Sequence, residues 1–198
     1  MKTLKINSLK RFINISLFII LFTSACAQSG KSTNTTSKHT ETKSTQNKPS
    51  VNIHTAVLSG NLEVVKQHIE AGTNINEKEA MSGSTPLISA ATFNKPEIAK
   101  ALINANANLS IKNNDGSTAL HSAAFFGRIE IVQMLIDAKS DKTIRNNFGA
   151  TPRETVMVNF TELKPVYEML KLQLEPIGFK LDMNELEKAR PVIAMMLQ

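Results

Sequence analysis

The stretch DGSTALHSAAFFGRIEIVQMLIDAKSDKT, residues 115–143, decides how the chain is read. It carries Asp115, Ser117 and His121, the residue types of a hydrolytic triad, but it also carries two apolar segments at helical spacing, parted by a glycine at 127. Two earlier stretches follow the same order: IHTAVLSGNLEVVKQHIEAGTNIN at 53–76 and LISAATFNKPEIAKALINANANLS at 87–110. Ala56, Ala90 and Ala123 align at intervals of 34 and 33 residues, and the extra residue falls in the loop NEKEAMSG. A period of this size is the mark of stacked supersecondary units, none of which buries its apolar face alone.

The local chemistry agrees. Gly83, Gly116 and Gly149 can supply the positive φ of a tight turn. Two residues on, Thr85, Thr118 and Thr151 stand as N-caps. Pro86 and Pro152 occupy the first helical position, where a missing N–H is harmless, and Thr151 with Glu154 makes a capping box. Each second helix opens on Glu63-Val64-Val65, Glu97-Ile98-Ala99 or Glu130-Ile131-Val132, an acid at the positive helix end followed by a buried stripe.

This pattern, G-x-T-P-L-H-x-A-A then G-x-x-E-V-V, resembles the ankyrin repeat. The resemblance implies an all-α ankyrin-repeat solenoid of helix-turn-helix units with β-turn loops over residues 51–158. A C-terminal helical cap over 159–198 follows, with a helix near 162–174, a turn at 175–178 and a helix after Asp182; a docking element is the alternative role for that segment. In such repeats the histidine bonds the cap threonine and nearby backbone, so the resemblance makes Thr118 and His121 structural. Ile88 stands in the place of His121 one unit earlier, which no obligatory proton-transfer site would allow. A hydrolase built on Ser117 and His121 is therefore the least favoured reading. His68 aligns with Leu102 and Leu135 at a core position and is expected to stay wet at the exposed end of the stack. No metal or cofactor is expected, because no second and third donors accompany His39 or His68.

Stacking occupies most positions of such an array, leaving the turn tips and the outward face of the first helices for a protein partner. Those positions hold Met81, Lys112, Asn114, Arg145, Asn147 and Phe148, with Phe93, Phe125 and Phe126 on the first helices. Phe125, Phe148 and Arg145 are expected to contribute most to binding, aromatic and arginine side chains being typical interface anchors. For Phe93 and Phe126, packing against a neighbouring unit is the open alternative.

The N-terminus has a different composition. Lys2, Lys5, Lys10 and Arg11 precede the apolar run FINISLFIILF at 12–22 and the small residues Thr23-Ser24-Ala25. That run is about 16 Å long as a helix, against a hydrocarbon core of about 30 Å. Thr23-Ser24-Ala25 followed by Cys26, the lone cysteine, resembles the lipobox of bacterial lipoproteins, although Thr23 stands where leucine is commonest. The resemblance implies a signal peptide at 1–25, fatty acylation of Cys26, and attachment to the bacterial cell envelope facing the periplasm; Ala27 in second place favours the outer membrane. Residues 27–50 hold eleven Ser or Thr and almost nothing apolar, a flexible tether with a reach of about 27 Å. From residue 51 onward 15 Lys and Arg face 16 Asp and Glu, so the formal +6 belongs to leader and tether, and the repeats offer no basic excess for nucleic acid. The expected molecule is a monomeric, lipid-anchored, non-catalytic module that binds a protein, or in the alternative masks a toxin or enzyme as an immunity protein does.

Overall fold

The computed structural model describes residues 49–198; the expected signal peptide, Cys26 and the tether up to residue 48 lie outside them. Helices come in antiparallel pairs: α1 (Ile53–Ser59) with α2 (Leu62–Glu70), α3 (Pro86–Thr92) with α4 (Pro96–Asn104), and α5 (Ala119–Phe125) with α6 (Ile129–Asp137). Each first helix has seven residues and each second helix nine. Such lengths are too short to persist alone in water, so these helices exist because their faces stack. The first helices α1, α3 and α5 form one layer and α2, α4 and α6 the other.

The helix starts follow the sequence. Thr85 accepts the Ile88 N–H at 3.3 Å, and Thr151 accepts that of Glu154 at 3.3 Å while the Glu154 carboxylate takes the Thr151 N–H at 2.9 Å. Pro86 and Pro152 each sit at the first helical position. Ala56, Ala90 and Ala123 fill matching seats. All three are fully buried, and their carbonyls accept the N–H five residues on, from Asn61, Lys95 and Arg128, at 2.8–2.9 Å. The residue that turns the chain between helices is left-handed in each unit, Gly60, Asn94 and Gly127 with φ between 53° and 75°.

His68 departs from expectation. Its seat is the one taken by Leu102 and Leu135, and at 2 % exposure it is as buried as they are. The imidazole stays there because its polar atoms find partners. Nε2 lies 2.7 Å from the Val51 carbonyl and Nδ1 3.0 Å from the Thr73 hydroxyl. The chain entering the first unit therefore supplies the partner that lets His68 be buried.

A fourth unit begins at α7 (Pro152–Met157), which packs on α5 as α5 packs on α3. Its second helix does not follow within three residues, as in the other units. Residues 158–182 intervene, carrying α8 (Phe160–Leu174) and a 3-10 turn at Glu175–Ile177, and only then does α9 (Met183–Met196) lie against α7 and α6. Asp182 caps α9 through the N–H groups of Asn184 and Glu185, at 2.8 and 3.1 Å. The stripe Leu186, Ala189, Ile193 and Leu197 is buried, and α9 continues through Pro191. The C-terminal segment is helical as expected, and its α9 stands to α7 as the second helix of a fourth unit, with a long insertion between the two.

Candidate functional site

The loops between units project as a row of fingers built on one plan. The backbone closes each with the same bond, Glu79 to Ser84, Asn113 to Ser117 and Asn146 to Ala150, all N–H to carbonyl at 3.0 Å. Inside the second finger the Asn113 side-chain oxygen accepts the N–H groups of Asp115 and Ser117; inside the third, Asn146 accepts those of Phe148 and Ala150. The first finger has the extra residue, and the longer Glu79 does the work of asparagine by accepting from Met81, Ser82 and Ser84. Burial works to raise the Glu79 pKa, but these hydrogen bonds, that of the Ser82 hydroxyl foremost, hold it below the ordinary carboxylate value.

Neighbouring fingers are stitched together. The Asn114 amide donates to the Met81 carbonyl at 3.0 Å, and Asn147 repeats the bond to Asn114 at 2.9 Å. Lys112 reaches the Arg145 carbonyl at 2.9 Å. Arg145 in turn pairs both nitrogens with Glu154, at 2.6 and 3.2 Å, and reaches Gly149. Asn114, Asn147, Lys112 and Arg145 were expected on the partner face. They are exposed there, yet Asn114, Asn147 and Lys112 also fix the spacing of the fingers, and the Arg145 side chain ties the third finger to the start of α7. Gly83 and Gly116 are left-handed turns whose missing side chains leave room for Asn114 and Asn147, whereas nothing lies within 4 Å of the corresponding point on Gly149. Met81, at 80 % exposure, stands out from the first fingertip; Phe148 on the third is half-buried.

His121 is 1 % exposed, and both of its ring nitrogens are committed. Nδ1 accepts the Thr118 N–H at 3.2 Å and lies 2.9 Å from the Thr118 hydroxyl, which leaves the proton on Nε2 to be donated to the Ala150 carbonyl at 3.1 Å. One imidazole thereby closes the α5 start and ties it to the next finger. Neither nitrogen bonds Ser117 or Asp115. Burial holds the His121 pKa below its ordinary value, with the nearby Lys112 charge acting the same way against the opposing Ala150 bond; burial lowers that of His54 as well. The folded protein resists taking up these protons. Stability is therefore expected to be level above about pH 7 and to fall as pH drops below about 6.5, where the unfolded chain binds protons that the folded one does not. Glu79 and Glu154, held low, act only nearer the carboxylate range. Thermal melts from pH 7.5 to 5.5 measure this slope, and His121→Gln should reduce it; an unchanged slope contradicts the assignment.

The expectation of an open aromatic row on the first helices does not hold. Insertion 158–182 lies across it. The Tyr167 ring is 4.6 Å from that of Phe125, and the Phe179 ring is 5.1 Å from Phe126 and 5.8 Å from Phe93. Phe126 is left 9 % exposed, and Phe93 and Phe125 are half-buried. The Tyr167 hydroxyl donates to the Phe125 carbonyl at 2.9 Å and receives Arg190 at 2.6 Å. Arg190 is 3 % exposed, and its guanidinium also lies over the Phe160 and Tyr167 rings. Arg128 donates to the carbonyls of Lys180 and Thr92 and lies over Phe179; burial lowers its pKa to about 10. Sequence reasoning found neither arginine, because each is positioned by a segment without repeat pattern.

Among the described residues no group of three or more His, Cys, Asp and Glu could hold a metal, and no helix is long and apolar enough to cross a membrane.

Comparison with known proteins places this geometry. Residues 53–146 match the family model for ankyrin repeats, in three copies. Protein phosphatase 1 regulatory subunit 27 of Homo sapiens is 42% identical over 63 residues, which are 32% of this chain and 40% of the relative, and the Mus musculus protein matches equally. The chain thus spans well under half the length of the curated relatives it matches. The crystal structure of the ankyrin repeat domain of Bcl-3 superposes with a TM-score of 0.51 at 31% identity, covering 52% of this chain and 45% of that one. The three matched copies end at residue 146, just before the unit that the insertion splits. Over its described residues the chain is an all-helical ankyrin-repeat solenoid.

Proposed function

We propose that this chain is a non-catalytic module that grips a protein partner with its finger row, and that an acylated Cys26 and the tether behind it hold the array at the bacterial envelope. The observation that carries the reading is the finger row itself. Hydrogen bonds fix its spacing, and its side chains Met81, Lys112, Asn114, Arg145 and Asn147 still face solvent. A rigid scaffold presenting an apolar anchor beside polar and cationic groups suits an interface centre and rim. Met81 replaces Phe125 as the expected anchor, since the ring of Phe125 already serves Tyr167.

The membrane part rests on the lipobox-like sequence before and at Cys26. A relative named as a phosphatase regulatory subunit favours, as a second reading, a partner that is an enzyme held in check by the module.

Crosslinking in native envelopes tests the finger reading. Met81→Ala with Lys112→Ala is expected to reduce capture at least tenfold while helicity stays unchanged; full capture by the double variant refutes it. Metabolic labelling with a fatty acid, lost in Cys26→Ala, tests the anchor separately.

A further inference from the structure

Insertion 158–182 behaves chemically as a ligand of its own array. It separates two helices that belong together, then crosses the ends of α5 and α3, and at Gly178 it comes near the carbonyl of Leu58 in α1. It runs past the C-terminal ends of the first helices in three successive units, near Leu58, then against Phe93, then against Phe125 and Phe126.

Its attachment is uneven. Tyr167 and Phe179 are fully buried, yet of the fifteen residues of α8 only Leu163 and Tyr167 are buried. Leu172 and Ile177 stand 73 % and 51 % exposed, and Pro165 removes a hydrogen-bond donor from inside the helix. An element with few buried contacts opens below the cost of global unfolding.

The two arginines show what could compete. Arg190 donates to the Tyr167 hydroxyl and the Val158 carbonyl, and Arg128 to the Lys180 and Thr92 carbonyls. Every one of these acceptors is neutral. The ion pairs among the described residues are Lys66–Glu63, Arg145–Glu154 and Lys188–Glu185, so neither arginine meets a carboxylate. A carboxylate adds opposite charge and a bidentate fit to guanidinium, neither of which a neutral carbonyl or hydroxyl offers.

We propose that residues 158–182 form an exchangeable strap over a second binding groove, lined by Phe93, Phe125, Phe126, Arg128 and Arg190, whose external ligand is a peptide segment carrying aromatic side chains and a carboxylate. The strap supplies the aromatic half of that chemistry and leaves the anionic half unfilled. This groove lies apart from the fingers, so the proposal does not depend on them.

Hydrogen exchange and peptide binding test it. In the unmodified chain, α8 amides are expected to exchange at least tenfold faster than those of α3 and α5. A labelled synthetic peptide of residues 158–182 should bind the Phe179→Ala chain more tightly than the parent, by fluorescence anisotropy. The same peptide with Lys180→Glu should bind at least tenfold tighter again, an advantage that Arg128→Gln in the protein abolishes. Exchange of α8, α3 and α5 at one common rate overturns the proposal, as does a folded Phe179→Ala chain that binds neither peptide. An equal affinity for the two peptides overturns its carboxylate half. Should Phe179→Ala not fold, exchange in the unmodified chain decides.

Discussion

Leu135→Ala is expected to cost about 2–5 kcal/mol, the range for removing a fully buried leucine from a packed interior. Leu135 is 0 % exposed on α6, which is pressed between α4 on one side and α9 on the other and against α5 behind. With neighbours on every side the cavity has little freedom to collapse, which places the loss toward the upper end. A stack of units also passes the damage on, since each unit is stable largely through its interfaces. Total stabilities of single domains lie at about 5–15 kcal/mol. The variant should therefore melt far below the parent, in one transition, and urea unfolding followed by circular dichroism measures the difference. A loss under about 1 kcal/mol means that the layers do not pack as described.

Gly116→Ala should follow at about 2–4 kcal/mol. Its φ of 71° is left-handed, which costs an L-residue roughly 1–2 kcal/mol. The new methyl group would also meet the Asn147 side chain and stand 2.7 Å from its backbone nitrogen. Moving Asn147 sacrifices its bonds to Asn114 and Asp115, each worth about 0.5–1.5 kcal/mol. Gly149→Ala is the control. It has the same backbone conformation, φ 77°, but open space where the methyl group would go. Its loss should stay at about 1–2 kcal/mol, the conformational part alone. Equal losses in the two variants would show that the fingers do not brace one another.

The repeat could be read from the sequence because its grammar is local. Glycine, threonine, proline and glutamate each act on the turn or helix start beside them, and the spacing of Ala56, Ala90 and Ala123 carries the rest. His121 was legible for the same reason, being three residues from the threonine it bonds. Phe125 and Phe126 were not, because what covers them is Tyr167 and Phe179, more than forty residues away in a segment with no period. His68 misled because its partner Val51 lies ahead of the first helix, at a position with no counterpart in the repeat pattern. Asn114 and Asn147 read as free tips, although each amide reaches a carbonyl one whole unit earlier. A helix after Asp182 was legible, but nothing nearby says that this helix completes a unit begun before residue 158.

The divided last unit imposes an order on synthesis. A ribosome makes α7 well before α9, whereas every earlier helix meets its mate almost at once. Until α9 arrives, the nascent chain carries a bare flank on α6 and an unfinished α7, the kind of transiently exposed apolar surface that invites aggregation or a chaperone. Closing so long a loop also slows the final step relative to zipping up the first three layers. Lys142 reaches the Gln198 carbonyl at 2.8 Å, so this late arrival is also fastened to the loop that follows the third layer.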